Sequence, residues 1–544
     1  MRTSIFIFLC LFVICVRAQT FTDSDIPIVI IDTHGGTIVN EPKISADFKV
    51  IDNGPGLRNY IVDAPAYSGK IGIEIRGTYS AILPQLSYGL ELRDSVGSDL
   101  DTMLLGMPAE HDWHLIANYN DKSFSRNTLA GELFRKLGNY APRSRFCEVV
   151  IDGDYKGIYL LSESIKRDKN RVHISKLDSA EITAPDVTGG YIIKNDYWDN
   201  TNSWQSNFSP PGHPSENVNL VYHYPKPDKI QPAQQTYIQG FINQFETALY
   251  GSTFSNPLTG FRQYADETSF VDYFIINELS RNYDGFMHSF YFNKDRDGAS
   301  PKKLKCGPVW DFDWAFNTIY VSNCTDFAAT DGSGWAYLIN DCSVHSVTSV
   351  AWHVRMLQDN AFKDLLRCRW YQSRQTFMST AQVFNHIDSV ATYLNEAQGR
   401  HYARWGHIAN DVGGCHELPI PGTFAGHVTQ MKNWLSVRMA WLDTNMPGTL
   451  ANCVTGIADT KPVDQSIMFF PIPANDLLFV ETTGTNEILA ITCYDQQGRI
   501  VIDLSSLNTK TQSLNVSELN SGLYILKINV ANGKQLYRKV TITH

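Results

Sequence analysis

Residues Glu278–Asn317 read ELSRNYDGFMHSFYFNKDRDGASPKKLKCGPVWDFDWAFN. The stretch begins at the end of a predicted helix, crosses a polar loop at Asp284, and continues as two strand-like segments that end in Trp-Asp-Phe-Asp. A hairpin returns the chain to where it left, so carboxylates before and after it can converge. Asp284 on one side, with Asp311 and Asp313 on the other, therefore suits a site that needs both a base and a metal ligand.

The composition is that of an ordered globular protein. Of 544 residues, 43% are hydrophobic and 12% aromatic, which is enough to fill a sizeable core in more than one domain. The formal net charge is -10. General nucleic-acid and anionic-membrane binders present a basic face, so this charge argues against both classes. Any phosphate site must be local.

The first 18 residues have the pattern of a secretory signal peptide. Arg2 precedes an apolar run over residues 5–16, and Ala18 ends the segment with a small side chain. No later segment approaches the roughly 18 uninterrupted apolar residues that cross a bilayer. We therefore expect an exported mature chain without a transmembrane segment.

The cysteines are scattered. Ten are present, and eight remain after the predicted signal peptide. None has paired CxxC spacing, which argues against structural zinc. In an oxidising compartment some are expected to pair, and Cys324 with Cys342 is the most local option.

An amphipathic helix is predicted over Ser123–Leu137, where apolar residues recur at three-to-four spacing and Gly138 follows as a stop. Lys122 and Arg126 lie at its start, where positive charge opposes the helix dipole. Anion binding would explain them, and so would an ion pair with a neighbouring carboxylate. The sequence leaves both explanations open.

A β-hairpin is predicted over residues 146–162, with Asp-Gly as its turn. It leads into Glu163 and a charged run that includes Lys166, and a further predicted strand presents Lys194. A carboxylate just past a strand is usually a solvated terminus. Glu163 could instead pair with a lysine that holds phosphate.

The remainder of the chain has two successive sequence patterns, one helical and one of short strands. Three-to-four spacing of apolar residues predicts helices over residues 351–371, 382–397 and 428–445. From about residue 456, short strands alternate with Gly turns, as in a small β-sandwich. We predict a large domain over residues 19–450, a linker over 451–465 and a β-sandwich over 466–544.

Several motifs together resemble the CotH family of secreted atypical protein kinases over residues 27–445. The matching pieces are IEIRG at Ile73–Gly77, LLGMP at Leu104–Pro108, DWHLIANYNDKSFSRN at Asp112–Asn127, GIYLLSESIKRDKNRVHI at Gly157–Ile174, GGYIIKND at Gly189–Asp196, RNYDGFMHSFYF at Arg281–Phe292 and PVWDFDWAF at Pro308–Phe316. The C-terminal segments FFPIPANDLLFVE, YDQQGRIV and LNSGLYILKI resemble the type A sorting domain of type IX secretion in Bacteroidetes. Its usual Pro-Asn-Pro is Pro-Ile-Pro in this chain.

The resemblance implies an α+β fold: an atypical protein-kinase-like core, with a β-rich N-lobe and a helical C-lobe, followed by the small β-sandwich. It implies transfer of the γ-phosphate of ATP to Ser/Thr of extracellular proteins, assisted by Mg²⁺ or Mn²⁺. The implied partners are a protein substrate and the type IX secretion machinery, without nucleic acid. The implied location is outside the cell or on its surface.

The resemblance also implies roles for individual residues. Asp284 would accept or orient the substrate hydroxyl proton, and Asp311, Asp313 and Ser289 would hold the metal. The residues implied in binding the nucleotide are Glu163, Lys166, Lys194, Arg126 and Arg76. Phosphoryl transfer asks chiefly for positioning and charge neutralisation, which these residue types supply.

Two positions depart from the expected pattern. Family members commonly carry Lys-Lys after the proline that follows the IRG strand, where this chain has Gln85. Ser289 replaces the amide that kinases place five residues after the catalytic Asp. A non-catalytic, pseudokinase-like surface protein is therefore the alternative.

Other chemistries also use paired carboxylates. Asp311 and Asp313 have the spacing of the aspartate pair in haloacid-dehalogenase-like phosphatases, although those want Thr or Val where Ala315 stands. A glycosidase would be recognised only by the separation of its two carboxylates in space. A structural Ca²⁺ loop would fit the same pair.

Overall fold

The structure is a computed structural model. It describes residues 21–318, 324–342, 346–412, 419–450, 453, 467–470, 474–482, 487–495, 499–531 and 535–543. The predicted signal peptide, and all of the predicted linker except Cys453, lie outside the described residues. The chain divides into two compact units, Met1–Cys453 and Val454–His544.

The first part of unit one is rich in strands. Its elements are β1 (Asp23–Ser24), β2 (Ile28–Asp32), β3 (Ile44–Ile51), β4 (Asn59–Tyr60), β5 (Tyr67–Arg76), a 3₁₀ turn (Ser80–Ile82), β6 (Ser87–Arg93), β7 (Thr102–Leu104), β8 (Met107–Glu110), β9 (Asp112–Ala117), α1 (Arg126–Lys136), β10 (Ser144–Ile151) and β11 (Asp154–Glu163). Seven strands close into a barrel in the order β10-β11-β9-β6-β5-β3-β2. Only the closing pair, β10 with β2, is parallel.

Alternate side chains of the strands fill the barrel, because successive residues of a strand point to opposite faces. Ile71 and Ile73 of β5 are fully buried in its core, and so are Trp113 and Leu115 of β9. The turn between β10 and β11 is the predicted Asp-Gly, and both residues have positive φ, 51° and 79°. Tight hairpin turns of this kind favour that residue pair.

The second part of unit one is mostly helical, with one sheet. Its elements are a 3₁₀ turn (Asp186–Thr188), β12 (Tyr191–Asn195), β13 (Ser203–Gln205), β14 (Asn219–Tyr224), α2 (Pro232–Tyr250), a 3₁₀ turn (Phe261–Gln263), α3 (Glu267–Ser280), α4 (Asp284–Met287), β15 (Phe290–Lys294), β16 (Leu304–Cys306), α5 (Thr325–Ala328), a 3₁₀ segment (Ala336–Asp341), α6 (Trp352–Met356), α7 (Asn360–Arg374), α8 (Thr380–Tyr393), α9 (Ala397–Trp405) and α10 (Phe424–Asn445). The sheet has the order β13-β14-β12-β15-β16.

Helix α3 lies at the centre of this part. Every residue from Ser269 to Ser280 is buried, which is the burial expected of a helix covered on all sides rather than on one face. The Asp266 side chain accepts a hydrogen bond from the Ser269 amide and caps its start. The helix leads straight into the stretch that carries the candidate site.

Two disulfides join four of the described cysteines. Cys324 is bonded to Cys342, which confirms the pair predicted from local spacing, and Cys368 is bonded to Cys453. Both lie in the helical part of unit one.

Unit two consists of two antiparallel sheets. Its strands are β17 (Ile467–Phe470), β18 (Leu477–Thr482), β19 (Ile488–Tyr494), β20 (Ile500–Leu504), β21 (Thr511–Asn515), β22 (Gly522–Val530) and β23 (Gln535–Ile542). They form sheets of order β17-β18-β21 and β20-β19-β22-β23. Val480 and Leu514 of one sheet share a core with Ile491 and Leu526 of the other, which is the arrangement of a β-sandwich.

The predicted class, mixed α and β with a β-rich C-terminal region, matches the observed architecture. The closed barrel was not expected, since the resemblance implied only a β-rich lobe. The reason is that apolar and polar side chains alternate along a strand in the same way in an open sheet and in a barrel. Closure depends on one long-range parallel pairing, in which Glu148 lies opposite Ile28, and no local pattern encodes it.

Candidate active site

A cavity of about 500 Å³ is lined by the end of β5, by residues of β9, α1 and β11, and by part of the Glu278–Asn317 stretch. Six of the residues predicted for the site line it: Arg76, Lys194, Asp284, Ser289, Asp311 and Asp313. They come from four separate regions of the sequence. The fold therefore brings acidic and basic candidates into one space.

The convergence of the carboxylates follows from the β15–β16 hairpin. Phe292 lies opposite Cys306, so the segments before β15 and after β16 leave the hairpin at the same end. Asp284 is the first residue of α4, just before β15, and Asp311 follows β16. Both line the cavity.

The backbone at Asp311 is held in an unusual conformation. Its φ is +68°, in the left-handed region that costs a non-glycine residue roughly 1–3 kcal/mol. A side chain of α1 and one from the loop between α3 and α4 hold it. The amide of Phe312 donates to Asn127 Oδ1 at 2.9 Å, and Asn282 Nδ2 donates to the Asp311 carbonyl at 3.1 Å. The surrounding structure thus aims the Asp311 side chain into the cavity.

Asp313 is held by α1 and by the loop that precedes it. Arg126 Nη1 donates to the Asp313 carbonyl at 2.6 Å, and Asn120 Nδ2 donates to Asp313 Oδ2 at 3.3 Å. Arg126 Nε also lies 3.6 Å from Asp121 Oδ1. Of the two explanations for positive charge at the start of α1, the structure contains the ion pair. Arg126 thus holds the backbone of a cavity residue, Asp313, but is not itself among the residues that line the cavity.

The carboxylates repel one another. The cavity walls partly desolvate the Asp311 carboxylate and so raise its pKa, and the nearby charge of Asp284 raises it further. The pKa of Asp313 is raised well above its usual range by burial, then by Asp311 and Asp284. Asp311 still reaches the open space of the cavity, so its oxygens stay accessible to a ligand. Crowded carboxylates of this kind favour either a bound proton or a bound cation.

Two basic side chains share the cavity. The guanidinium of half-buried Arg76 lies 5.5 Å from the centre of the Trp310 ring and makes no ion pair within 4 Å among the described residues. Burial lowers the pKa of Arg76, and the charge of Asp311 opposes that change. Lys194 lies on β12 opposite Tyr291 and pairs with Asp196. Arg76 is therefore the more available cation for an anionic ligand.

Glu163, predicted to help bind the nucleotide, is not among the residues that line the cavity. It is fully buried, and Arg143 binds one of its oxygens through Nε at 3.0 Å and Nη2 at 2.6 Å. Tyr140 donates to the other oxygen at 3.1 Å, and Arg171 lies 3.9 Å away. Its cationic partners are thus arginines that lie outside the cavity lining.

Lys166 also lies away from the cavity lining. Its ammonium is 2.9 Å from Glu110 Oε1, 2.7 Å from Asp112 Oδ2 and 2.7 Å from His111 Nε2. Asp101, Glu110 and His111 form the single group of three metal-ligand side chains that the described residues bring within 4.8 Å. Lys166 thus contacts two members of that group, Glu110 and His111, and offsets part of its negative charge.

The two departures from the family pattern have different surroundings. Gln85 is buried and donates to the carbonyls of Lys156 at 3.2 Å and Ile158 at 3.0 Å, so it ties the loop before β6 to β11. It is not among the cavity residues. Ser289 Oγ lies in the cavity, 3.5 Å from Asp311 Oδ2.

The sequence did not single out three residues that build this site. Asn120 and Asn127 hold the Asp-x-Asp segment, and His288 contacts Asp284 with Nδ1 2.9 Å from Oδ1. His288 could have been found, because it is four residues after Asp284 and a helical turn places such residues side by side. The two asparagines act across long sequence distances and leave no local signal.

Comparisons with known proteins agree with the motifs. Residues 73–442 match the family described as CotH kinase protein. Residues 468–543 match the one described as secretion system C-terminal sorting domain. Over 201 residues the chain is 24% identical to the inner spore coat protein H of Bacillus subtilis (strain 168). The aligned region covers 37% of this chain and 48% of that protein. The match therefore spans about half of that relative.

Both resemblances predicted from the motifs are confirmed. The sorting domain indicates export, to the cell surface or beyond it. Within the described part of the chain, no helix has the length and apolar character needed to cross a membrane. The first family match covers more than half of the residues of this chain. The chain therefore belongs to the CotH kinase protein family, with a secretion-system sorting domain at its C-terminal end.

Proposed function

We propose that the protein transfers the γ-phosphate of ATP to Ser/Thr hydroxyls of exported proteins. The observation that carries the proposal is the shared cavity, in which the acidic ends of one hairpin meet Arg76 and Lys194. Phosphoryl transfer needs positioning and charge neutralisation more than covalent chemistry. A cavity of this size also suits a nucleotide-sized ligand.

The residues of the cavity fit a divalent cation. Asp311 and Asp313 offer carboxylate oxygens and Ser289 a hydroxyl, which are the hard donors that Mg²⁺ and Mn²⁺ prefer. A bound cation would neutralise phosphate charge during transfer. Burial and the meeting of like charges both raise the pKa values of these two aspartates, and a bound cation would offset both effects.

The chain's own residues take the remaining roles. Arg76 and Lys194 bind the phosphates. Asp284 accepts the hydroxyl proton as the acceptor oxygen bonds to the γ-phosphorus, and the bond from that phosphorus to the β-γ bridging oxygen breaks to release ADP. Only one oxygen of Asp284 is hydrogen-bonded to described residues, so the other is available to the hydroxyl. The proposal also includes a kinase-like arrangement of two lobes and an exported protein as the phosphate acceptor.

The test uses the full mature chain with radiolabelled ATP, Mg²⁺ or Mn²⁺, and both itself and casein as acceptors. Asp284→Asn should lower the transfer rate at least about 100-fold, the usual contribution of a general base. Asp101→Asn, which alters a carboxylate outside the cavity, serves as the matched control. A wild-type protein whose melting temperature and transfer activity do not respond to ATP with either metal would refute the proposal.

A further inference from the structure

Asp284 is fastened on one side only. Its Oδ1 lies 2.9 Å from Nδ1 of His288, four residues later, and both side chains are 17% exposed. The amides of His288 and Ser289 donate to the Asp284 carbonyl at 2.9 and 3.1 Å. The backbone contacts hold the main chain at Asp284, and His288 orients the carboxylate, whose second oxygen makes no hydrogen bond with a described residue.

His288 is itself held by two further residues. Its Nε2 lies 2.7 Å from Ser346 Oγ, which lies 3.1 Å from the hydroxyl of Tyr197. The Tyr197 ring stacks on the imidazole, with 4.7 Å between centroids and 17° between planes. These contacts restrain both the rotation and the tilt of the imidazole ring.

The hydrogen bonds of a neutral imidazole have one consistent direction here. A carboxylate only accepts, so Nδ1 carries the hydrogen and donates to Asp284. Nε2 then accepts from the Ser346 hydroxyl, whose oxygen accepts from Tyr197. All three donors thus point toward Asp284, and the outermost member, Tyr197, is 46% exposed at the cavity.

From this geometry we infer that His288 is a positioning residue for Asp284. Its Nδ1 hydrogen engages Oδ1 and leaves the other oxygen facing the acceptor hydroxyl, and Ser346 and Tyr197 hold the ring in that orientation. The inference rests on the proposed function, because it assigns a purpose to the Asp284 orientation. It predicts that the position of the donor atom matters more than the presence of an imidazole.

Two substitutions separate donor position from general polarity. In His288→Asn the amide nitrogen stands where Nδ1 stood, and in His288→Gln the amide nitrogen reaches the place of Nε2. Loss of a residue that orients a functional group typically costs about 10–100-fold. We expect His288→Gln to lower kcat by that factor with the KM for ATP changed less than about threefold, and His288→Asn to recover most of the loss.

His213 supplies the matched control, since its Nε2 lies 2.8 Å from Asp341 Oδ1 and it is not among the residues that line the cavity. His213→Gln should leave kcat and KM unchanged. Equal kcat in His288→Asn and His288→Gln, whether both are low or both are normal, would overturn the inference.

A second measurement judges the inference apart from the proposed function. In full-length protein with ¹⁵N-labelled histidine, the spectrum should place the hydrogen of neutral His288 on Nδ1, and Asp284→Asn should change that signal. A hydrogen on Nε2 overturns the inference. If wild-type protein transfers no phosphate, the proposed function fails on its own, and the tautomer still decides whether His288 orients Asp284.

Discussion

Glu246 offers the most quantitative test of the structure. It is 2% exposed, and it accepts hydrogen bonds from Ser206 Oγ at 2.7 Å and Trp352 Nε1 at 3.0 Å. Burial raises its pKa from 4.5 to about 7. The folded state therefore disfavours the ionised form, so stability falls as the pH rises from about 4.5 to about 7.

The magnitude follows from the pKa change. At about 1.36 kcal/mol per pKa unit, the rise from 4.5 to about 7 corresponds to roughly 3.4 kcal/mol. Glu246→Gln keeps an acceptor for Trp352 and a polar group for Ser206 but cannot ionise. An unfolding entropy near 2.1 cal/mol/K per residue over roughly 430 residues is about 0.9 kcal/mol/K, so the variant should melt about 4 °C higher at pH 8.

The assay is a thermal melt of wild type and variant at pH 5 and pH 8. At pH 5 the gain should shrink to about 1 °C, because most of the penalty has not yet accumulated. Glu41→Gln, which alters an exposed carboxylate, is the control and should show no comparable gain at pH 8. A gain that is equal at the two pH values, or absent at both, would refute the reasoning.

Three further outcomes are expected. Arg76→Met should weaken ATP binding about 10- to 100-fold in calorimetry, since one charged hydrogen bond contributes about 1.5–3 kcal/mol; unchanged affinity would remove Arg76 from the phosphate site. Glu278→Ala should lower the free energy of unfolding by about 3–5 kcal/mol in denaturant titrations, because it leaves the guanidinium of Arg438 buried without its carboxylate partner at 2.9 Å; a loss under about 1 kcal/mol would contradict this. Mn²⁺ affinity should rise with pH through the acidic range, because protons compete for Asp311 and Asp313, whose pKa values are raised; titrations at several pH values measure this, and a pH-independent affinity would count against a metal site at these residues.

Local patterns predicted much of the secondary structure. The hairpin over residues 146–162 and the helix over Val428–Asn445 were placed correctly to within a few residues. A single helix predicted over residues 351–371 is instead two, α6 and α7. The Asp359 side chain accepts from the Ala361 amide at 3.0 Å and caps a new helix there. Apolar spacing continues across that break, so periodicity alone could not reveal it.

The meeting of Asp284 with Asp311 could be predicted from the sequence, because a short hairpin brings its own ends together whatever surrounds it. Family and export signal were also readable, since both are carried by contiguous motifs. Which charged side chains share that cavity became evident only from the three-dimensional packing. Arg76 lines it from the end of β5, whereas Lys166 pairs with Glu110 and Asp112. The partner of each charged side chain depends on contacts between residues that are far apart in the sequence, so residue type alone does not predict it.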